Sequence, residues 1–245
     1  MTDEVLLEVN EGVGEVILNR PARKNAITGP LGRGLAEKVN EASAREDVRV
    51  VLFRGAEGAF CSGLDLGEFN ADPVPDWLPE FQHVWRGAHK ALFNCKKPIV
   101  GALQRYAING GAALALACDL LVSGREAFLQ VGEVQIGMAA PYNIAWLSLR
   151  HSEQVMAQVA VIGDRLKGDD LARLGLAVQI VDDAQVLDVA RALSGRLAGY
   201  PEGGLMRIKA GLRARLDYSA DAWFDRFTRM DPGGGSPKPS SMKGR

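Results

Sequence analysis

Glu133 is the only ionisable residue in LQVGEVQIG (129–137), and 23 residues before it Gly110 and Gly111 open the almost uncharged run GGAALALACDLL (110–121). Glycines at the start of a helix leave its first-turn N–H groups, which have no internal partners, open to close approach. The helix dipole adds partial positive charge there, so an oxygen that gains negative charge would be stabilised as it forms. A second loop, AFCSGLDL (59–66), follows an apolar run, and Gly63 would let the Leu64 N–H point into a cleft. Two N–H groups, from Leu64 and Gly110, could then hold one carbonyl oxygen while Glu133 moves a proton at the adjacent carbon. The same glycines would equally serve a tight strand-to-helix turn or a close helix crossing. Asp65 reads as a cap or loop anchor rather than a base, because its short side chain suits turn hydrogen bonds.

These groups need elements to carry them. Residues 4–9 and 13–19 alternate as an opening strand pair, with a turn at 10–12. The spacing of Leu31, Leu35, Val39 and Ala42 predicts a helix over 28–46, with Thr28 as its cap and Pro30 in the first turn. Val50–Arg54 and Ile99–Leu103 are short apolar strands of the kind buried on both faces. Over 77–94, Trp77, Phe81, Trp85, His89 and Phe93 share one broad side of a helix; they could wall a channel or pack a core. The nearly charge-free composition of 110–121 predicts an interior helix. Helical patterns recur at 153–162, 168–174, 184–198, 202–215 and 219–229, and 177–181 reads as a strand. The expectation is an α/β fold, with a core over 1–190, a helical region over 191–231, and a loose Gly/Pro-rich tail at 232–245.

Composition narrows the partners. With 29 basic and 30 acidic residues in 245, the net charge of -1 argues against nucleic acid as the main partner. No apolar run approaches a membrane span, and the acidic start MTDEVLLEVNEG has no leader pattern, so the expected location is cytoplasmic. Cys61, Cys95 and Cys118 read as buried thiols, and the three histidines have no ligand-like spacing, so no metal site is expected.

Four stretches in order, ILNRPARKNAIT (17–28), AFCSGLDLGEF (59–69), the run 97–137 and RLKGDDLARLGLAVQIV (165–181), resemble the enoyl-CoA hydratase/isomerase, or crotonase, superfamily. The resemblance implies a crotonase-like spiral of repeated ββα units whose C-terminal helices mediate a homotrimer, often paired into a hexamer. It implies a coenzyme A thioester as substrate and no permanently bound cofactor. It also implies an oxyanion hole at Leu64 and Gly110, and adenine contacts from the loop of Ser62, Leu64 and Leu66. Arg20 and Lys24 are candidates for the coenzyme phosphates, with solvent-facing charge as the other reading.

Two departures from the family pattern bear on the reaction. Hydratases of this family place two glutamates around one water; the second matches Glu133, but the first falls on Ala113. Pro141 stands where the family has a glycine and has no N–H to offer. One carboxylate suffices to shift a double bond, removing a proton beside the thioester and returning it two carbons along. Burial among Val131, Val134 and Ile136 would raise its pKa toward a value useful for both halves. The single glutamate therefore resembles the enoyl-CoA delta isomerases, with hydration of a 2-enoyl-CoA, decarboxylation and simple acyl-CoA binding as alternatives. Asn109, Tyr142 and Asn143 are further candidates, with Ala113, for shaping the acyl pocket, and Tyr142 is an alternative proton donor.

Overall fold

The computed structural model describes residues 3–229; the tail expected at 232–245 lies outside them. Strands β1 (Val5–Asn10) and β2 (Val13–Leu18) form the expected hairpin, and α1 (Gly29–Ala44) follows. Thr28 caps α1 by accepting from the Leu31 N–H at 3.1 Å, and Leu31, Leu35, Val39 and Ala42 are buried along one side. Next come β3 (Val50–Gly55), the single turn α2 (Leu66–Phe69), α3 (Phe81–Asn94), β4 (Ile99–Leu103) and β5 (Tyr106–Ile108). Then follow α4 (Gly110–Ala117), β6 (Leu120–Gly124), β7 (Phe128–Gln130), α5 (Pro141–Ser148) and α6 (Glu153–Ala160). The chain continues through β8 (Arg165–Lys167), α7 (Gly168–Arg173), β9 (Gln179–Val181), α8 (Val186–Ala198), α9 (Gly204–Ala214) and α10 (Ala220–Thr228).

The main sheet has the order β1-β2-β3-β4-β6-β9, parallel throughout except for the opening hairpin, and a small second sheet joins β5, β7 and β8. Side chains alternate across β3 and β4 with period two. Val51, Phe53, Ile99 and Leu103 join the large core with α1, α3, α4 and α5. Val50, Leu52, Val100 and Ala102 face the other way, onto Ala190, Leu193 and Leu197 of α8. Helix α8 thus straddles the boundary expected at residue 190 and packs against the sheet. This α/β architecture, with its C-terminal helices, is crotonase-like.

One expected helix is shorter than its composition suggests. It ends at Ala117, and residues 120–124 form β6, which lies between β4 and β9 in the main sheet. Asp119 makes the break. Its N–H donates to Ile99 O at 2.8 Å, and its carboxylate accepts from Ile99 N at 2.9 Å. The same carboxylate pairs with Lys209 of α9 at 2.7 Å and with Arg150 at 3.1 Å. Burial alone would raise its pKa, but Lys209 and Arg150 bring it below the ordinary carboxylate value. Asp119→Ala would leave the buried Lys209 ammonium without its counter-charge, a change worth about 3 kcal/mol of unfolding free energy. Urea titration reads this directly; a loss below about 1 kcal/mol, the range of an exposed pair, would show that the cluster does not anchor α9.

Candidate active site

The loop of Leu64 and the mouth of α4 are fastened together by backbone. Cys61 N donates to Tyr106 O, and Ile108 N donates to Cys61 O, both at 3.1 Å, forming a parallel bridge between Cys61 and Ala107. On the other side, Ile27 N donates to Gly63 O at 2.8 Å and Asp65 N to Ile27 O at 3.0 Å, which leaves the Leu64 N–H turned out of that bridge. Gly63 has φ +90°, and a Cβ there would stand 2.9 Å from Ile108 O, so the turn takes glycine for conformation and for room. At Gly111 the gap is tighter still: a Cβ would meet Cys61 O at 2.6 Å. Among the described residues, neither Leu64 N nor Gly110 N has a hydrogen-bond acceptor. Two unpaired N–H groups from adjoining loops are suited to a single oxygen.

Glu133 begins a short 3-10 turn, Glu133–Ile136, and is 8% exposed. Its Oε1 accepts from Asn143 Nδ2 at 2.9 Å, while Oε2 is buried with no partner among the described residues. Burial pushes its pKa up to about 7, outweighing hydrogen bonds from its own N–H and from Asn143 that act downward. The apolar surroundings differ from those expected: Val131 is buried, but Val134 and Ile136 turn toward solvent. Asn143 of α5, itself 2% exposed, lies against the carboxyl. Asn109, at φ 53° and ψ −112°, links this acid to α4: its Oδ1 accepts from Gly132 N at 2.9 Å, and its carbonyl accepts from Asn143 Nδ2 at 3.3 Å. Ala113, one turn into α4, is fully buried and has no polar side-chain atom.

An aromatic wall stands beside this group. The Trp85 ring lies 3.5 Å from where a Gly110 Cβ would be, and Tyr142 meets Trp85 edge-on at 6.3 Å between centroids. Tyr142 stacks on His89 at 4.2 Å and 14°, and burial pushes its phenol up to about 12. His89 is fully buried and its Nδ1 accepts from Trp146 Nε1 at 2.9 Å, so Nε2 carries the ring proton. Burial pushes its pKa down to about 3, leaving it neutral. Phe224 of α10 packs under both rings, at 5.7 Å from Tyr142 and 5.8 Å from His89. Trp85 and His89 are thus packed in the core, while Trp77 and Phe81, only half-buried, continue the wall outward.

The candidates for coenzyme contact separate into two kinds. Ser62, Leu64 and Leu66 share the loop after Cys61, with Ser62 N donating to Lys24 O at 3.2 Å and Leu66 36% exposed. Arg20 is turned inward: it donates to Ala26 O at 2.6 Å and pairs with Asp65 at 3.1 Å, Glu68 at 2.5 Å and Glu4 at 3.4 Å. Its charge is spent on anchoring the loop. Lys24 is exposed and has no ion pair among the described residues. Asp65 caps α2 through Glu68 N and forms a two-point pair with Arg23 at 2.7 and 3.2 Å. Burial would raise its pKa, but Arg23, Arg20 and the Glu68 N–H hold it below the ordinary value, which suits an anchor and not a base. The cysteines are buried, and burial pushes the Cys61 and Cys118 thiols up to about 12. Among the described residues no cluster of His, Cys, Asp or Glu could hold a metal ion, and no helix is long and apolar enough to cross a membrane.

The sequence pointed to Asn143 only as a pocket residue; its bond to Glu133 spans ten positions and two elements and carries no local signature.

A crotonase-like α/β core that joins a glycine-opened helix to one buried acid defines the class of protein. Residues 8–226 match the enoyl-CoA hydratase/isomerase family, and the chain belongs to that family. It is similar to 1,2-epoxyphenylacetyl-CoA isomerase of Escherichia coli (strain K12), 29% identical over 229 residues, which are 92% of this chain and 87% of the relative. It is 30% identical over 198 residues to (E)-benzylidenesuccinyl-CoA hydratase of Thauera aromatica, covering 79% of this chain and 76% of that one. The crystal structure of enoyl-CoA hydratase EchA8_6 from Mycobacterium marinum superposes with a TM-score of 0.77 at 25% identity, covering 85% of this chain and 98% of that chain.

Proposed function

We propose that this chain acts on enoyl coenzyme A thioesters and moves a double bond from the 3 to the 2 position, with Glu133 as the one acid and base. The observation that carries the reading is the contrast between the buried, pKa-raised Glu133 and the apolar side chain of Ala113, at the position where hydratases of the family carry their other glutamate. The Glu133 carboxylate removes a proton from C2. The electron pair moves onto the thioester oxygen, which the Leu64 and Gly110 N–H groups hold as a dienolate. The protonated Glu133 then delivers the proton to C4, and the double bond settles between C2 and C3. A pKa near 7 serves both halves, because the group must take a proton and give it back. Ser62, Leu64 and Leu66 are suited to backbone contact with the adenine. Lys24 is the better placed of the two expected cations for the phosphates, since Arg20 is already paired.

Hydration of a 2-enoyl thioester is the second reading, and two observations favour it. Several relatives are named as hydratases, (E)-benzylidenesuccinyl-CoA hydratase among them. Glu133 Oε2 and Asn143 Oδ1 are both buried acceptors without partners among the described residues, and bound water could donate to them. Incubation with 3-enoyl-CoA and with 2-enoyl-CoA, followed by mass analysis and separation of the isomers, distinguishes the two. The expected result is conversion of the 3-enoyl to the 2-enoyl thioester without added mass. Rapid gain of 18 Da from the 2-enoyl thioester, with no isomer formed, would reverse the choice. For assembly, the exposed Ile208 and Leu212 of α9 support association of copies into the trimer or hexamer expected from the sequence.

A further inference from the structure

We infer that Asn109 and Asn143 are positioning residues that brace the Glu133 carboxyl against the mouth of α4, so that the base and the backbone donors keep one fixed spacing. The inference rests on the reading of Glu133 as the base. One amide nitrogen makes the brace: Asn143 Nδ2 donates to Glu133 Oε1 at 2.9 Å and to Asn109 O at 3.3 Å. Both neighbours are acceptors, which fixes the orientation of the amide. The Asn109 carbonyl also accepts from Ala113 N at 3.0 Å, within the first turn of α4. A second strut runs beside the first, from Gly132 N to Asn109 Oδ1 at 2.9 Å, and it fixes the residue immediately before Glu133.

The backbone of Asn109 supports a positioning role. At φ 53° and ψ −112° it lies where glycine would sit without steric cost, and a side chain there is strained. A bare turn would take glycine. The side chain that is present bonds to the Glu133 segment. The brace also assigns roles to the two carboxyl oxygens. Oε1 is held by Asn143, and Oε2, buried and unpartnered, is left to exchange the proton. No charged side chain among the described residues contributes to the Glu133 shift; burial, its own N–H and the Asn143 amide do. Removing the amide therefore makes the carboxyl harder to ionise.

The test titrates Glu133 by carbon-13 NMR of labelled glutamate carboxyls, assigned with Glu133→Gln, in wild type, Asn143→Ala, Asn143→Gln and Asn109→Gly. Asn143→Ala is expected to raise the Glu133 midpoint by on the order of one pH unit, the loss of a hydrogen bond to a charged group. The acid limb of kcat/KM should move by the same amount, and kcat should fall on the order of tenfold or more with KM within about twofold. Asn143→Gln keeps a donor and recovers part of both. Asn109→Gly relieves the backbone but removes the second strut, so kcat falls while the fold stays as stable. An Asn143→Ala midpoint and acid limb equal to those of wild type would overturn the brace, as would full kcat in Asn109→Gly. The titration needs no substrate, so it reads the brace separately from the reaction, whose failure the enoyl thioester assay reports.

Discussion

Replacing Glu133 by glutamine is expected to silence turnover and at the same time make the protein more stable at alkaline pH. The loss of turnover should reach about a thousandfold, within the range for removing a general acid–base group, because Ala113 provides no second carboxyl to take over. The gain in stability follows from the pKa. Glu133 rises from its ordinary value of 4.5 to about 7 on folding, chiefly by burial. Between these values the folded chain keeps a proton that the unfolded chain has released, so stability falls as pH rises through that window. Above pH 7 the full penalty is present, about 3 kcal/mol for a shift of this size. Glutamine is neutral at every pH and still offers an oxygen to Asn143 Nδ2, so the penalty disappears. Urea unfolding of both proteins at pH 8 and pH 4.5 separates this from ordinary packing changes, since groups common to both cancel. A difference that appears at pH 8 and vanishes at pH 4.5 is the expected result. Equal stability at both pH values would show that the carboxyl is not held in a charge-excluding site, and retained turnover would remove it as the base.

The same carboxyl illustrates how far sequence reasoning reaches. Glu133 stood out because no other charge lies near it in the chain, and Leu64 and Gly110 because glycines precede or occupy a turn. These are local signals, and the structure brings the two glycine turns together through the bridge of Cys61 and Ala107. Helices α1 and α3 were equally local, written in the spacing of Leu31, Leu35 and Val39 and in the apolar side of Trp85, His89 and Phe93. What the sequence hid depends on distant partners. Residues 110–124 are apolar enough for helix or buried strand, and short apolar runs do not distinguish the two. The division at residue 118 is made by Asp119 meeting Ile99 across the sheet. Arg20 looked like a free cation because Glu4, Asp65 and Glu68, its partners, lie up to 48 positions away. Helix α5 has no capping side chain to announce it, so the sequence shows Val131, Val134 and Ile136 beside Glu133 but not Asn143, its partner from α5.

Gly111→Ala should lower kcat/KM on the order of a hundredfold, as expected when one of two oxyanion donors is moved out of place. The added methyl would meet Cys61 O at 2.6 Å, Cys61 Cβ at 2.9 Å and Cys61 Sγ at 2.9 Å. The thiol could turn away, but the carbonyl oxygen cannot, because it already accepts from Ile108 N at 3.1 Å and is part of the bridge between the loops. The loop of Leu64 must therefore move away from α4, widening the space between the Leu64 and Gly110 N–H groups. The cost in stability should be about 1–3 kcal/mol, typical of overpacking. A helix glycine outside the site provides the comparison: a Cβ on Gly211 in α9 meets nothing within 4 Å, so Gly211→Ala should leave kcat/KM unchanged and stabilise the fold slightly. Two readouts separate a moved donor from a loosened protein. The Glu133 titration should stay where wild type has it, because Asn109 and Asn143 are untouched, while proton exchange at the carbon beside a bound saturated thioester should slow with kcat. If Gly111→Ala lost stability yet kept exchange and kcat/KM within about threefold of wild type, the spacing of the two N–H groups would not matter to the reaction, and carbonyl polarisation would have to be assigned elsewhere.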